Sequence, residues 1–448
     1  ARAPAMAAKG LLKDGAASAY GAAGPVRGED SDPEDRMAER SLSWMGAAWV
    51  VNASVIGMGV LTIPRCFATL GWLCGWATLV VCLLANILVA HIMLEIREVH
   101  PQAISLADAA QCACDGSRSV KVTLRTVLFA EKLACTCAFV NLMVDTLGSA
   151  FYSLRWCEVS WCGVIVLIFL PLMRLKSLSE THGLNLVNFA SILIVVALTC
   201  VAVLQEAGAG GATSWRPAAR DFSDAIGAVS MLVFSFSGNW MYFELMAEMR
   251  QPRDFIKCFG VAGPTQLGLY GLMGGVGYAA LGDAAPTSMV EALRFSWLMR
   301  VISLVLTVHI VCGTATNLVV LTRFFHSRVS PGDVNCSTAR AQLVRGSIFL
   351  AVISGAVLVT LMIQSLGPIV TLIGALFEAP ISFILPMAIY AGVMRGQPPK
   401  QGWGPRLLWL GGAAIAAFGA VTMVFGVMDA VRSFKPSSRH PFACNCEG

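Results

Sequence analysis

Charge is what this 448-residue chain has least of. Asp, Glu, Lys and Arg make up 13% of it, against roughly 25% in an ordinary soluble domain, too few to cover the surface of a water-soluble fold of this length. Catalytic signatures are missing too. There is no His-Glu-x-x-His metal motif and no Gly-x-Ser-x-Gly elbow, and the six histidines are scattered, which argues against an intramembrane enzyme. No apolar run carries the repeated polar stripe or filter-like loop of a channel. Residues 1–40 hold no apolar signal-peptide core: they are Ala/Gly-rich and then acidic (Glu29, Asp30, Asp32, Glu34, Asp35), so the first span is expected to direct insertion itself. Loops are short, leaving no room for a separate soluble domain, and nothing points to nucleic acid.

What is present is apolar. Hydrophobic residues make up 56% of the chain, and the mean hydropathy is +0.69. They cluster in runs of the length, about 20 residues, that a helix needs to cross some 30 Å of hydrocarbon. Such runs lie near 45–66, 70–94, 122–149, 159–174, 183–204, 224–249, 257–282, 295–322, 343–363, 367–393 and 405–430. The expectation is an all-α polytopic membrane protein of about eleven transmembrane helices. A disordered cytoplasmic tail (1–40) precedes the membrane domain (41–430), and a short C-terminal tail (431–448) follows it.

Lys and Arg are retained on the cytoplasmic side of membrane helices. Of the 32 here, 22 fall on the side of the N-terminus and nine on the other, with Lys132 inside a span. The N-terminus is therefore expected in the cytoplasm; plasma membrane and vacuolar or endolysosomal membrane fit equally. Most of the fifteen cysteines lie within spans, where cysteine behaves as a small apolar residue. Cys157 and Cys162 share an external loop region and are the candidates for a disulfide; Cys444 and Cys446 sit near the C-terminus.

Two spans are interrupted alike. The first reads Asn52-Ala-Ser-Val-Ile56-Gly57-Met58-Gly59-Val60, and the sixth Phe234-Ser235-Phe236-Ser237-Gly238-Asn239. Glycine weakens a helix, and unwound backbone at membrane depth is tolerated only where it is buried in protein or lines a cavity. Gly-broken segments at corresponding places in two halves mark the midplane site of transporters built from inverted repeats. Helices one and six are that pair if helices one to five and six to ten are the repeats. The Gly271-Leu-Met-Gly274-Gly275-Val-Gly277 run in the seventh span reads instead as close helix packing.

These residues resemble a known family. Gly57-Met-Gly-Val-Leu-Thr-Ile-Pro64 with Leu70-Gly-Trp72 is similar to the first-helix signature of the amino acid/auxin permease family, within the amino acid–polyamine–organocation superfamily. Val144-Asp-Thr-Leu147, Lys176-Ser-Leu-Ser-Glu180, Phe234-Ser-Phe-Ser-Gly238 with Phe243-Glu-Leu-Met-Ala-Glu-Met-Arg-Gln-Pro-Arg253, Gly277-Tyr-Ala-Ala-Leu-Gly282, and Ser365-Leu-Gly-Pro-Ile-Val-Thr-Leu-Ile-Gly374 with Pro380 and Pro386 follow in the family's order. The resemblance implies a LeuT-like five-plus-five inverted repeat with broken helices 1 and 6 plus one extra helix. It also implies secondary active transport of amino acids or related small solutes, a symporter driven by protons or sodium with no bound cofactor. The alternative from another class is a sensor that binds the solute and signals through its N-terminal tail; protein partners are not named by the sequence.

An amino acid presents an α-carboxylate and an α-ammonium. Free amides at helix N-termini suit the first, and free carbonyls at helix C-termini the second. The expected substrate contacts are Ile56, Gly57, Met58, Gly59, Val60, Ser235, Phe236, Ser237 and Gly238, with Gly57 and Gly59 offering amides and Met58 or Phe236 walling the side-chain pocket. Asn141 and Asp145, four apart, share one face of helix three; Asn141 is a further substrate candidate and Asp145 the first candidate for proton coupling. Glu378 and His309 follow as proton candidates, because ionisable groups within spans default to function. Asn52, Thr314 and Thr316 are the candidate sodium oxygens; no other metal is expected. Ala53 stands where sodium-coupled relatives often carry Asn, a departure from the sodium pattern. Glu131 beside Lys132 reads as a buried structural pair, and Glu244 and Glu248 as gate residues.

Overall fold

The computed structural model describes residues 42–433 apart from 155, 175–181, 208–213, 216–218, 220, 335, 337, 364–365 and 399–401. The N-terminal tail, the Lys176–Glu180 motif, Cys444 and Cys446 lie outside these residues, as does most of the C-terminal tail.

Every one of the eleven apolar runs is helical. Among the described residues eight helices are long and apolar enough to cross a membrane, and the only strand-like pairing is a single bridge between Leu42 and Met249. The helices are α1 (Trp44–Val55), α2 (Ile63–Val99), α3 (Leu106–Ala113), α4 (Arg118–Ala150), α5 (Glu158–Phe169), α6 (His182–Ala207), α7 (Phe222–Ser235) and α8 (Tyr242–Glu248). They continue with α9 (Phe259–Leu281), α10 (Trp297–Val329), α11 (Ala339–Met362), α12 (Leu366–Ile373), α13 (Leu385–Met394) and α14 (Trp403–Ser433).

Local chemistry explains where the helices break. After α1 the chain turns extended at Ile56 (φ −78°, ψ 94°) and Gly57 (φ −130°, ψ −154°), then tightens into a 3₁₀ turn over Met58–Thr62 that Thr62 Oγ1 braces by donating to Gly59 O at 2.8 Å. Pro64 in the first turn of α2 forgoes an N–H that would have had no intrahelical partner anyway. Gly71 (φ 80°, ψ 174°) then bends α2 into two passes, a left-handed backbone that a residue with a Cβ adopts only at a cost. The sixth span breaks between α7 and α8 across Phe236–Met241. The tenth remains helical but widens into two π turns, Gly374–Glu378 and Pro380–Ile384, where the Ala379 amide reaches back to Gly374 O and the Leu385 amide to Pro380 O. Proline at 380 has no N–H to give to an α-helical ladder, consistent with the widening.

The broken sixth span is the innermost: 78% of the apolar window in 222–248 is buried, against 17% for α14, which packs on α7, α12 and the π turns at the edge of the bundle. Small residues let helices approach closely. A Cβ on Gly274 would stand 2.8 Å from Ile63 and Phe67, and one on Gly277 2.6 Å from Pro64, so the seventh-span glycines serve packing as expected. Cys162 is a free buried thiol, whereas Cys157 is disulfide-bonded, so the two are not bridged to each other. Sequence proximity had suggested a pairing that the burial of Cys162 inside α5 does not offer.

Candidate functional site

The two breaks meet. Tyr270 of α9, fully buried, places its hydroxyl 3.0 Å from Val55 O and 2.6 Å from Ser235 O, the carbonyls at the ends of α1 and α7. One hydroxyl proton serves two acceptors that have lost their helical partners, so the ring is a tie between the halves of the site. Phe236 packs edge-on against the same ring with centroids 4.8 Å apart. Gly59 sits so close to the sixth span that an added Cβ would lie 2.8 Å from Ser235 Cα, and one on Gly238 would lie 2.5 Å from Val55 Cγ2. Gly57 differs: an added Cβ there meets nothing within 4 Å.

That open space belongs to a cavity of about 330 Å³ lined by both breaks and by α4, α6, α8 and α10. Of the expected contacts it takes in Gly57, Met58, Gly59, Ser235, Ser237, His309 and Thr316. Ile56, Val60 and Phe236 are buried in the core beside it. Asn141 is occupied elsewhere, its amide donating to Ile363 O at 3.0 Å. Asp145, one turn on, is exposed on the far stretch of α4, with Glu291 and Glu158 as its electrostatic neighbours.

The candidate sodium oxygens are dispersed in their bonding. Asn52 Oδ1 accepts from Gln266 Nε2 at 3.4 Å, Thr316 Oγ1 donates to Cys312 O of its own helix at 3.2 Å, and the Thr314 hydroxyl is buried with no hydrogen-bond partner among the described residues. Asn188 of α6 donates to Ala53 O at 3.3 Å, and its own carbonyl accepts from His309 Nδ1 at 2.9 Å, which leaves Nε2 of the neutral ring as an acceptor.

On the α4 side the wall is ionic. Lys132 Nζ lies 2.9 Å from Glu131 Oε2 and 3.9 Å from the centre of the Trp240 ring, in the break of the sixth span. Cys135, one helical turn along, gives its thiol to Glu131 Oε1 at 2.9 Å. Glu378, from the first π turn, brings a carboxylate oxygen within 4.8 Å of a Glu131 carboxylate oxygen and of the Cys135 sulfur. The sequence alone presents Glu131–Lys132 as a buried structural pair; the i, i+4 spacing of Glu131 and Cys135 is the local sign of a common face. Tyr270, Trp240, Asn188 and Gln266 had no local signal, because each acts through a contact distant in sequence.

Beyond the cavity, at the end of the bundle carrying α3, Ser105 and Asp108 form a reciprocal cap. Asp108 also meets Lys121 at 2.8 Å and Arg125 at 3.8 Å. Burial pushes its carboxyl up, but Lys121, Ser105 and Arg125 together outweigh that and hold it below the ordinary carboxylate range.

The chain is 24% identical over 449 residues to the N amino acid transport system protein of Neurospora crassa, covering 94% of each, and 23% identical over 404 residues to the amino acid transporter ANT1 of Arabidopsis thaliana, covering 84% of this chain and 91% of that one. Among solved structures it resembles MhsT in complex with L-phenylalanine (TM-score 0.53, 11% identity, 88% of this chain and all of that one). A mutant of the Eremococcus coleocola manganese transporter is also similar (TM-score 0.50, 11% identity, 87% and 95%). The fold is thus the LeuT-like one, with its first and sixth spans broken. Residues 40–438, which hold both breaks and all the passes between them, match the description "Transmembrane amino acid transporter protein", and the chain is a member of that family of membrane transport proteins.

Proposed function

We propose that the chain is a secondary active transporter that moves an amino acid together with protons by alternating access around the α1 and α7–α8 breaks. The observation that carries this reading is the cavity at those breaks. Its volume of about 330 Å³ is at the low end of small-ligand pockets, roughly 300–1,000 Å³. It is walled by unwound backbone at Gly57–Gly59 and Ser235–Ser237. Amides around Gly57 supply donors for an α-carboxylate at the start of the 3₁₀ turn. Carbonyls at the ends of α1 and α7 keep a second lone pair, beyond the one Tyr270 uses, for an α-ammonium.

Protons are favoured over sodium because two of the three candidate sodium oxygens are already engaged, Asn52 Oδ1 by the Gln266 amide and the Thr316 hydroxyl by Cys312 O of its own helix. The cavity runs from the breaks to Leu42 and Glu248. With the N-terminus in the cytoplasm, this is the cytoplasmic half. On the opposite side Arg65 Nη1 bonds Ala285 O at 3.3 Å, and Trp215 Nε1 bonds Tyr278 O at 3.1 Å. Leu42 and α8 are joined by backbone bonds, Leu42 N to Glu248 O at 3.0 Å and Arg250 N to Leu42 O at 2.9 Å, which suits their movement as one piece.

The test is uptake of a panel of labelled amino acids into liposomes bearing the purified protein, with a proton or a sodium gradient imposed. Accumulation driven by the proton gradient is expected. Binding without flux, or accumulation that follows sodium alone, would overturn this reading.

A further inference from the structure

We propose that Glu131 and Glu378 form one proton-binding site, holding a single proton between them per transport cycle, with Lys132 as its fixed countercharge. The proposal rests on the proton-coupled transport reading above and gives it a location.

The geometry is that of two carboxylates and one ammonium enclosed in protein. Glu131 and Glu378 are each only 1% exposed, and their nearest carboxylate oxygens approach within 4.8 Å. Lys132 is committed to Glu131 at 2.9 Å. Glu378 Oε2 is buried with no hydrogen-bond partner among the described residues. With both carboxylates ionised, the three groups carry a net charge of −1, in surroundings where an uncompensated charge is costly. One proton brings the set to zero and supplies the hydrogen that two neighbouring carboxylates need in order to bond rather than repel. The proton is taken from water on one side, held on a carboxyl oxygen of the pair, and returned to water on the other; no other bond changes.

The groups around Glu378 support this assignment. From α4 it faces Glu131, Lys132 and Cys135. The break of the sixth span contributes Ser237, a neutral hydroxyl, and α12 carries no charged residue. Asp429 of α14 is bonded to Ser223 at the far end of α7, and Glu244 of α8 lies on the same cavity wall as Lys132. Glu131, Cys135 and Glu378 would also make a set of ligands for a metal ion, but the Lys132 ammonium already supplies the positive charge on that side.

Two further features connect the pair to movement. Glu378 stands on the first π turn of the tenth span, a geometry that occurs frequently at functional sites. Lys132 rests on Trp240 and Glu378 reaches Ser237, so both partners touch the break that walls the solute cavity. Loading the proton therefore changes the charge presented to the part of the chain that must close.

The experiment is Glu378→Gln in liposomes, an amide of the same shape that imitates the proton-loaded pair. Two readouts are compared: accumulation under an imposed pH gradient, and exchange of labelled for unlabelled amino acid at equal pH. For a neutral amino acid moving with one proton, a gradient of one pH unit supports about tenfold accumulation in the parent protein. The variant is expected to keep exchange and to lose accumulation, its ratio falling to about one. Accumulation that persists in the variant overturns the proposal. So does loss of exchange with the variant still in the membrane, which would mark a structural role. Glu131→Gln must behave in the same way, because one proton is shared. If neither variant folds, the proposal also fails, since the neutral pair is a state it requires. A parent protein that moves no amino acid under any gradient would instead refute the transport reading.

Discussion

At the scale of single residues, the glycines of the first break have separate duties. Gly57 borders open space, so Gly57→Ala is expected to leave the melting temperature of the purified protein unchanged while lowering uptake, and Gly57→Leu, which fills the cavity, to abolish it. Undiminished uptake in the leucine variant would remove the site from this break. Gly59 touches the backbone of Ser235, and a methyl group has nowhere to go; Gly59→Ala is expected to destabilise the fold by about 1–3 kcal/mol, read as a lower melting temperature. Tyr270→Phe removes the hydroxyl that joins Val55 O to Ser235 O and strands a buried carbonyl, at a cost of about 1–3 kcal/mol. Thermal unfolding in detergent measures both.

At the scale of elements, the turns and caps decide how the passes are placed. Gly71 holds a positive φ between the first and second passes, and Gly71→Ala is expected to cost about 1–2 kcal/mol. Its signature would be a lower melting temperature, with binding unaffected in the protein that remains folded. The α3 helix is pinned to α4 through Asp108, whose folded-state carboxyl titrates below its ordinary range. A depressed folded value means that the stabilisation is present at neutral pH and fades as the pH falls below about 4. Asp108→Asn is therefore expected to lose about 1–2 kcal/mol at pH 7. The gap to the parent should narrow only as the pH falls below about 4 in paired melting curves. A gap that stays constant with pH would mean that shape rather than charge holds the contact.

At the scale of the whole molecule, the inverted repeats place two weak points of the chain against each other and surround them with unbroken helices. The buried ionic wall lies where the break of the sixth span meets α4 and the tenth span. The coupling ion is decided by flux: replacing a proton gradient with a sodium gradient of equal size is expected to leave only downhill movement of the solute.

Much of this was legible in the residues alone. Runs of apolar side chains long enough for hydrocarbon named every pass, because a buried backbone in lipid has to satisfy itself within the helix. Paired glycines at mid-span marked both breaks. The motif order brought the family and, through it, the architecture. The site itself was legible only in part. Gly57, Met58, Gly59, Ser235 and Ser237 reached the cavity, since a break exposes its own backbone. Asn141 was spent on Ile363, and Phe236 on the Tyr270 ring, because contacts hundreds of residues or one helix away decide which face of a helix looks inward. The sequence by itself determined helices and breaks, which follow from local hydrophobicity and backbone freedom. Only the tertiary structure brought Glu131, Lys132 and Glu378 together, since their meeting depends on how the third and tenth spans pack and on a π turn that no local pattern announces.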